Sequence, residues 1–267
     1  MIRVLINGVE SDGTIPVTDS SVLRGDGCFE VLRAYAGKPF ALDEHLDRLA
    51  RSAKALDIPL PGRHELELWI RDLALTSGDG AVRVLVTRGS AVPGDVAEPV
   101  VVVFAHPWSR EEGPATLLPV GAPWHAAGVE WDLAGAKVLS YAPNVAATRR
   151  ANAEGFGDAL LITVDEVILE GPTFAVAWVV GGVVETPTLD LGILDSITRR
   201  VMLELASDLG LEVVEGVWSL DRLDAADEMM ALSTAREIQP VAAVGQRRYR
   251  EGPMTADLAR LFYQRAG

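Results

Sequence analysis

The chain has 267 residues, 49% of them hydrophobic, and a formal charge of −14. It is long and apolar enough to bury a sizeable core in one large or two modest domains, and its acidity, spread along the chain, excludes a nucleic-acid or anionic-membrane surface as partner. No apolar stretch approaches the roughly 18 uncharged residues of a spanning helix, the single cysteine Cys28 excludes an internal disulfide, and His45, His64, His106 and His125 lack metal-ligand spacing, so a soluble, cytoplasmic, metal-free protein is expected.

In chain order, residues 2–9 and 29–41 read as strands, the second broken at Gly37-Lys38-Pro39, with a tight turn between them at Arg24-Gly25-Asp26-Gly27. Leu42, Leu46, Leu49, Ala53 and Leu56 recur at helical spacing and predict a helix over 43–57; a second is expected over 64–77. Strands at 81–88 and 99–106 complete a small α+β domain. The polar, breaker-containing run Ser109-Arg110-Glu111-Glu112-Gly113-Pro114 reads as a linker, which divides the chain into domains 1–113 and 114–267.

The second half opens with a strand at 116–120 and an irregular stretch to Lys137. A helix fits 143–154, with Pro143 in its first turn and Gly155 past its end. Strands follow at 158–164, 167–170, 173–180 and 183–186, then a helix over 197–209 capped by Ser196 and closed by Gly210. A strand at 211–214, a short helix at 219–226, strands at 228–232 and 240–244 and a helix at 254–266 end the chain. The fold class is α/β, a small α+β domain followed by a larger β-rich domain with flanking helices.

Lysine is scarce: of 24 basic residues only Lys38, Lys54 and Lys137 are lysines. Lys38 lies in a turn and Lys54 on a charged helix, both ordinary places for a solvated ammonium. Lys137 sits between Leu133-Ala134-Gly135-Ala136 and Val138-Leu139, an apolar setting that favours a neutral, nucleophilic amine by desolvation. A lysine at a strand end with its head in water is the alternative.

Several motifs occur in a fixed order: Gly25-Asp26-Gly27-Cys28-Phe29-Glu30, His45-Leu46-Asp47-Arg48-Leu49, Thr87-Arg88-Gly89, Lys137-Val138-Leu139-Ser140-Tyr141, Glu170-Gly171, Gly192 to Arg199, Ala226-Asp227-Glu228 and Ser233-Thr234-Ala235. With that set the chain resembles the class IV aminotransferases, the fold-type IV pyridoxal 5′-phosphate enzymes. The resemblance implies a two-domain homodimer with the active site between the domains. It implies that Lys137 is the catalytic Schiff-base lysine that also moves the substrate Cα proton, so no separate base is needed. It likewise implies that Glu170 faces the pyridine nitrogen. Cofactor binding would further involve Tyr141 at the ring oxygen and Arg48, Ser196, Ile197, Thr198, Ser233 and Thr234 around the phosphate, with free amides at the helix start. Helical spacing alone does not choose Arg48 over Arg51, and a Glu44–Arg48 surface pair is the ordinary reading of that position.

Substrate contacts are expected from Phe29, Arg88, Ala235 and Arg236, the last as a bidentate partner for a carboxylate or else as a surface or Glu237-paired residue. After Thr87-Arg88-Gly89 comes Ser90-Ala91-Val92, without the Arg-x-His trap of D-amino-acid transaminases; Glu30 departs from the threonine common in aminodeoxychorismate lyases; and Phe29-Glu30-Val31-Leu32-Arg33 only partly matches branched-chain transaminases. A transaminase passing an amino group from a D-amino acid or (R)-amine to a 2-oxo acid is the favoured expectation. An aminodeoxychorismate lyase, a branched-chain transaminase and a non-catalytic binding protein on the same fold are the alternatives.

Overall fold

A computed structural model describes residues 2–110 and 112–267; Glu111 of the expected linker lies outside the described residues. The chain forms two compact units, one from residues 2–109 with 136–141, the other from the described part of 110–135 with 142–266. The division at 113/114 remains our proposal for the domain boundary.

The first unit contains β1 (Val4–Ile6), β2 (Val9–Ser11), α1 (Ser20–Arg24), β3 (Gly27–Tyr35), β4 (Lys38–Pro39), α2 (Leu42–Ala55), α3 (Arg63–Ser77), β5 (Gly80–Thr87) and β6 (Val100–Pro107). Its sheet runs β2-β1-β6-β5-β3-β4 with antiparallel neighbours throughout. Alternation turns Leu32 and Ala34 of β3 and Val82, Val84 and Val86 of β5 into one core with Leu46 and Leu49 of α2 and Ile70 and Leu73 of α3. Cys28 belongs to the same core and is fully buried.

The single strand expected over 2–9 is instead a hairpin. Asn7 and Gly8 both take positive φ, 48° and 81°, the combination a two-residue turn of this hand requires, so Asn-Gly reverses the chain where hydrophobicity alone reads straight through. The one-turn helix α1 was not anticipated either; Asp19 caps it and Gly25, at φ 69°, ends it.

Residues 136–141 lie along the start of β3. Phe29 N donates to Lys137 O at 3.0 Å and Leu139 N to Gly27 O at 2.8 Å, and Lys137 N donates to Ser52 Oγ on α2 at 3.0 Å. Gly27 is packed tightly between β5 and this segment: a Cβ there would stand 2.4 Å from Val86 O of β5 and 2.6 Å from Leu139 Cδ1.

The second unit contains β7 (Ala115–Gly121), α4 (Ala142–Ala153), β8 (Asp158–Ile162), β9 (Ala175–Val180), β10 (Val183–Pro187), α5 (Ile197–Asp208), β11 (Val213–Gly216), β12 (Glu228–Ser233), β13 (Glu237–Val244), β14 (Arg247–Arg248) and α6 (Pro253–Ala266). The strand order is β11-β10-β9-β12-β13-β7-β8, with β14 on β13; β10–β11, β13–β7 and β7–β8 are parallel. One apolar cluster gathers Leu117, Phe174, Trp178, Met229 and Val241, and another packs Ala147 and Ala151 of α4 with Leu161 and Leu169. Buried Trp178 donates to Glu185 Oε2 at 2.8 Å, and Arg222 pairs with the same carboxylate.

Two expectations are adjusted here. Residues 167–170 make only isolated bridges, to Ile162 and Ser219, and the segment at 219–226 is a 3₁₀ helix over Leu220–Ala225. In both cases the chain turns before a regular ladder or an α-helical turn can propagate.

Replacing Gly27 by alanine is expected to crowd Val86 O of β5, displace the Leu139 side chain and destabilise the protein by about 1–3 kcal/mol, the range for overpacking. Thermal denaturation measures it; a wild-type melting temperature would show that the strand pairing does not depend on this close approach.

Candidate active site

In the first unit the side chain of Lys137 is buried, and its Nζ lies 4.3 Å from the centre of the Phe29 ring and 5.7 Å from that of Tyr141. The two rings meet edge to face at 5.3 Å. Aromatic faces attract an ammonium but replace its hydration only in part. Lys38 and Lys54 are exposed, so Lys137 is the buried amine of the three. Phe29, Lys137 and Tyr141 are thus brought together as the motifs imply.

Arg48 is buried as well, although Arg51, one helical step on, is exposed. Alternation along β3 turns Glu30 toward α2, where His45 and Arg48, at i and i+3, present one face. Arg48 grips Glu30 bidentately, Nε to Oε1 at 2.7 Å and Nη2 to Oε2 at 2.8 Å, and His45 Nδ1 lies 2.7 Å from Oε2. Arg48 is therefore a buried partner of Glu30 and not a solvated surface arginine.

Burial by itself would raise the Glu30 carboxyl, but the charge and hydrogen bonds of Arg48 outweigh it and hold the group down at about 2. Burial also lowers His45 from its ordinary value despite the bond to Glu30. A neutral imidazole facing an ionised carboxylate must donate, which puts the proton on Nδ1. Burial, with Glu30 adding to it, pushes the Cys28 thiol up to about 12.

Arg88, expected to face the substrate, is instead bound within the unit. It donates to Asp26 at 2.6 Å, to Leu56 O at 2.5 Å and to Asp57 O at 3.2 Å, tying the end of α2 to the Gly25–Gly27 turn. Burial would raise Asp26, yet hydrogen bonds from Arg88 and Ser20 lower it, so this pair is ionised.

In the second unit both Glu170 carboxylate oxygens lie 3.3 Å from Leu194 N, and His125 Nε2 is 3.9 Å from Oε1. Leu194 is two residues before Ser196, so Glu170 is anchored to the loop that delivers the start of α5. Ser196 Oγ accepts from Arg199 N at 3.3 Å, and Thr198 is buried. The first-turn amides of Ile197 and Thr198 have no helical acceptor, which makes this end a place for an anion. His125 was missed in the sequence, since nothing in its spacing announces Glu170; its Nδ1 is buried without a hydrogen-bond partner among the described residues.

The turn between β12 and β13 carries Thr234 and Ala235, with Arg236 N donating to Ser233 Oγ at 3.1 Å. The Arg236 side chain points inward: it is buried, pairs with Asp158 at 2.9 Å and donates to Gln239 Oε1 at 2.6 Å. The carboxylate it binds is thus the protein's own, and the residue is not at the surface.

Taken by itself, the first unit offers an amine, a phenol and a clamped guanidinium, groups that suit an aldehyde, a ring oxygen and a phosphate; the second by itself offers a carboxylate, hydroxyls and helix-start amides, which suit a pyridine nitrogen and a phosphate. The buried, unsatisfied nitrogen of His125 beside Glu170 is a further sign of a polar ligand. The residues fit pyridoxal phosphate.

Residues 27–244 match the model of the amino-transferase class IV family. The chain is 34% identical over 92% of its length, and 89% of the relative's, to a protein of Methanocaldococcus jannaschii provisionally named a branched-chain-amino-acid aminotransferase. It is 31% identical to an aminodeoxychorismate lyase of Bacillus subtilis, covering 97% of this chain and 93% of that one. It is also 31% identical to a D-alanine aminotransferase of Listeria monocytogenes, covering 98% and 96%. Among solved structures, a fold IV transaminase from Curtobacterium pusillum superposes with a TM-score of 0.88 at 30% identity, over 95% of this chain and 92% of that one.

Glu30→Gln is expected to cost about 3–5 kcal/mol by leaving the buried Arg48 charge uncompensated. Because the folded-state carboxyl is depressed, its stabilisation is fully present above about 4.5 and is lost as pH falls toward about 2. Melting temperatures of wild type and variant should therefore converge through that window; a pH-independent gap would contradict the assignment.

Proposed function

The chain belongs to the class IV aminotransferases, a pyridoxal phosphate family, and from that premise we propose that it is a transaminase passing an amino group from a small D-amino acid or (R)-amine to a 2-oxo acid. The bound cofactor would supply an electron-accepting ring. Lys137 would carry it and take and hold the donor's Cα proton on Nζ. Glu170 would keep a proton at the ring nitrogen and Tyr141 would donate to the ring oxygen. Arg48, the amides of Ile197 and Thr198, and the hydroxyls of Ser196, Thr198, Ser233 and Thr234 would hold the phosphate.

The observation that supports the amine side of this donor class is the commitment of both candidate arginines, Arg88 to Asp26 and Arg236 to Asp158. With neither guanidinium turned to the donor, its carboxylate falls to backbone amides at Thr234–Ala235, and an amine without a carboxylate loses little. Phe29 would then set the apolar wall. The identity to a branched-chain relative, with Phe29-Glu30 and Arg33, favours L-branched-chain amino acids as a second reading. The lyase reading has less support, because Glu30, where threonine is expected, is locked to Arg48 and His45.

The purified protein with pyridoxal phosphate should be yellow, and Lys137→Ala should not. Single donors are then mixed with the yellow protein. Bleaching of the visible band by D-amino acids and (R)-amines is expected; bleaching by L-branched-chain amino acids alone selects the second reading. If no donor bleaches it and aminodeoxychorismate yields pyruvate, the protein is a lyase.

We also propose a homodimer. Support comes from exposed Val17, Val22, Leu23, Val92 and Val96, on two segments joined where Ala91 N donates to Thr18 O at 2.9 Å. Light scattering should give twice the chain mass, and Leu23→Asp should halve it.

A further inference from the structure

We infer that Arg236 is a positioning residue that couples the Ser233–Ala235 turn to Glu170 through Phe174 and Gly171, without touching the donor; this rests on the reading that the turn and Glu170 serve the cofactor. In the sheet, β7 separates β13 from β8. Arg236 nonetheless pairs with Asp158, at the start of β8, at 2.9 Å, and so joins two strands that are not neighbours in that order. Asp158 is itself fixed: its Oδ1 accepts from Thr148 Oγ1 and from Ala159 N, both at 2.8 Å. Gln239, the second acceptor for Arg236, donates to Gly113 O at 3.0 Å. The turn is thus pinned to α4, β8 and the chain near residue 113 through one guanidinium.

The flat face of that guanidinium has its own partner, since its Cζ lies 4.7 Å from the centre of the Phe174 ring. The ring in turn fills the space that a side chain at residue 171 would need: a Cβ on Gly171 would come within 2.1–2.3 Å of Phe174 Cζ, Cε1 and Cε2. Gly171 N also donates to Phe174 O at 2.7 Å. Glu170 comes immediately before. Among the described residues its carboxylate accepts long bonds, 3.3 Å, from Leu194 N and faces His125 Nε2 at 3.9 Å, so its aim depends on where the main chain at 170–171 is held. Arg236 fixes the ring, the ring fixes Gly171, and Gly171 fixes Glu170. A lysine could keep the charge, but it lacks the planar fork for Asp158 and Gln239 and the flat face for Phe174.

The test is a titration of the apoprotein with pyridoxal phosphate, read by visible absorbance, for wild type, Arg236→Lys and Phe174→Leu. Arg222→Lys, which weakens the ion pair with Glu185, serves as the control for a loss of stability alone. Arg236→Lys and Phe174→Leu are each expected to weaken cofactor binding about tenfold, the size of losing a desolvated cation–π contact, and to move the pH midpoint of the visible band. Arg222→Lys should lower the melting temperature without either change. In turnover, kcat should fall equally with amino-acid and amine donors while KM stays put. Unchanged affinity and unchanged spectra in both site variants would overturn the inference, as would a rise in KM confined to donors with a carboxylate. Should Arg236→Lys fail to fold, Phe174→Leu decides, since it removes the stack and leaves the ion pair. A wild type that gains no visible band would bring down the cofactor reading itself, and the inference with it.

Discussion

Placement of the buried amine rests on a short stretch of strand pairing. Phe29 N to Lys137 O and Leu139 N to Gly27 O fasten a six-residue segment to a strand that already belongs to a sheet. That segment leaves the second unit, pairs with β3 and returns, and ordering it costs about 1–2 kcal/mol per residue in backbone entropy. The pairing succeeds because β4 covers β3 only at Ala34 and Tyr35, so the edge at Gly27–Phe29 is open to another partner. Once the segment is docked, Lys137 has little freedom: its own amide is held by Ser52 and its side chain lies against Phe29 and Tyr141.

The charges around this frame follow one pattern. Glu30 with Arg48, Asp26 with Arg88 and Asp158 with Arg236 are each a carboxylate met by an arginine from a distant element. A guanidinium can satisfy several acceptors in a plane, which makes arginine suited to burial next to a carboxylate. The chain uses lysine only three times, and two of those are at the surface. Its interior cations are therefore mostly permanently charged arginines, and Lys137 is the one lysine among the described residues that is buried. The same economy accounts for the fate of Arg88 and Arg236, whose geometry serves the protein's own carboxylates.

Most of the helices and strands could be read from the sequence because their signal is local. The stripe from Leu42 to Leu56 announced α2, and the apolar alternation announced β5 and β6. The Asn7-Gly8 hairpin was missed because a short apolar run looks like one strand unless its turn residues are given more weight than its hydrophobicity. In the site, ordered motifs pointed to Lys137, Tyr141 and Glu170, each beside recognisable neighbours. The partners of the arginines could not be read: Asp158 is 78 residues from Arg236 and Asp26 is 62 from Arg88, and no spacing rule spans such gaps. His125 was likewise silent, for its relation to Glu170 exists only after the second unit has folded.

Cys28 lies under the same docked segment, fully buried, with its thiol pushed to about 12 by the surrounding core and by Glu30. At neutral pH almost none of it is thiolate, and the thiolate is the form that reacts. The native chain is in effect a cysteine-free scaffold for labelling. A thiol engineered onto an exposed position of α3 or α6 would be the sole site for a maleimide dye or a spin probe, so movements of either unit could be followed without first replacing a residue of the core.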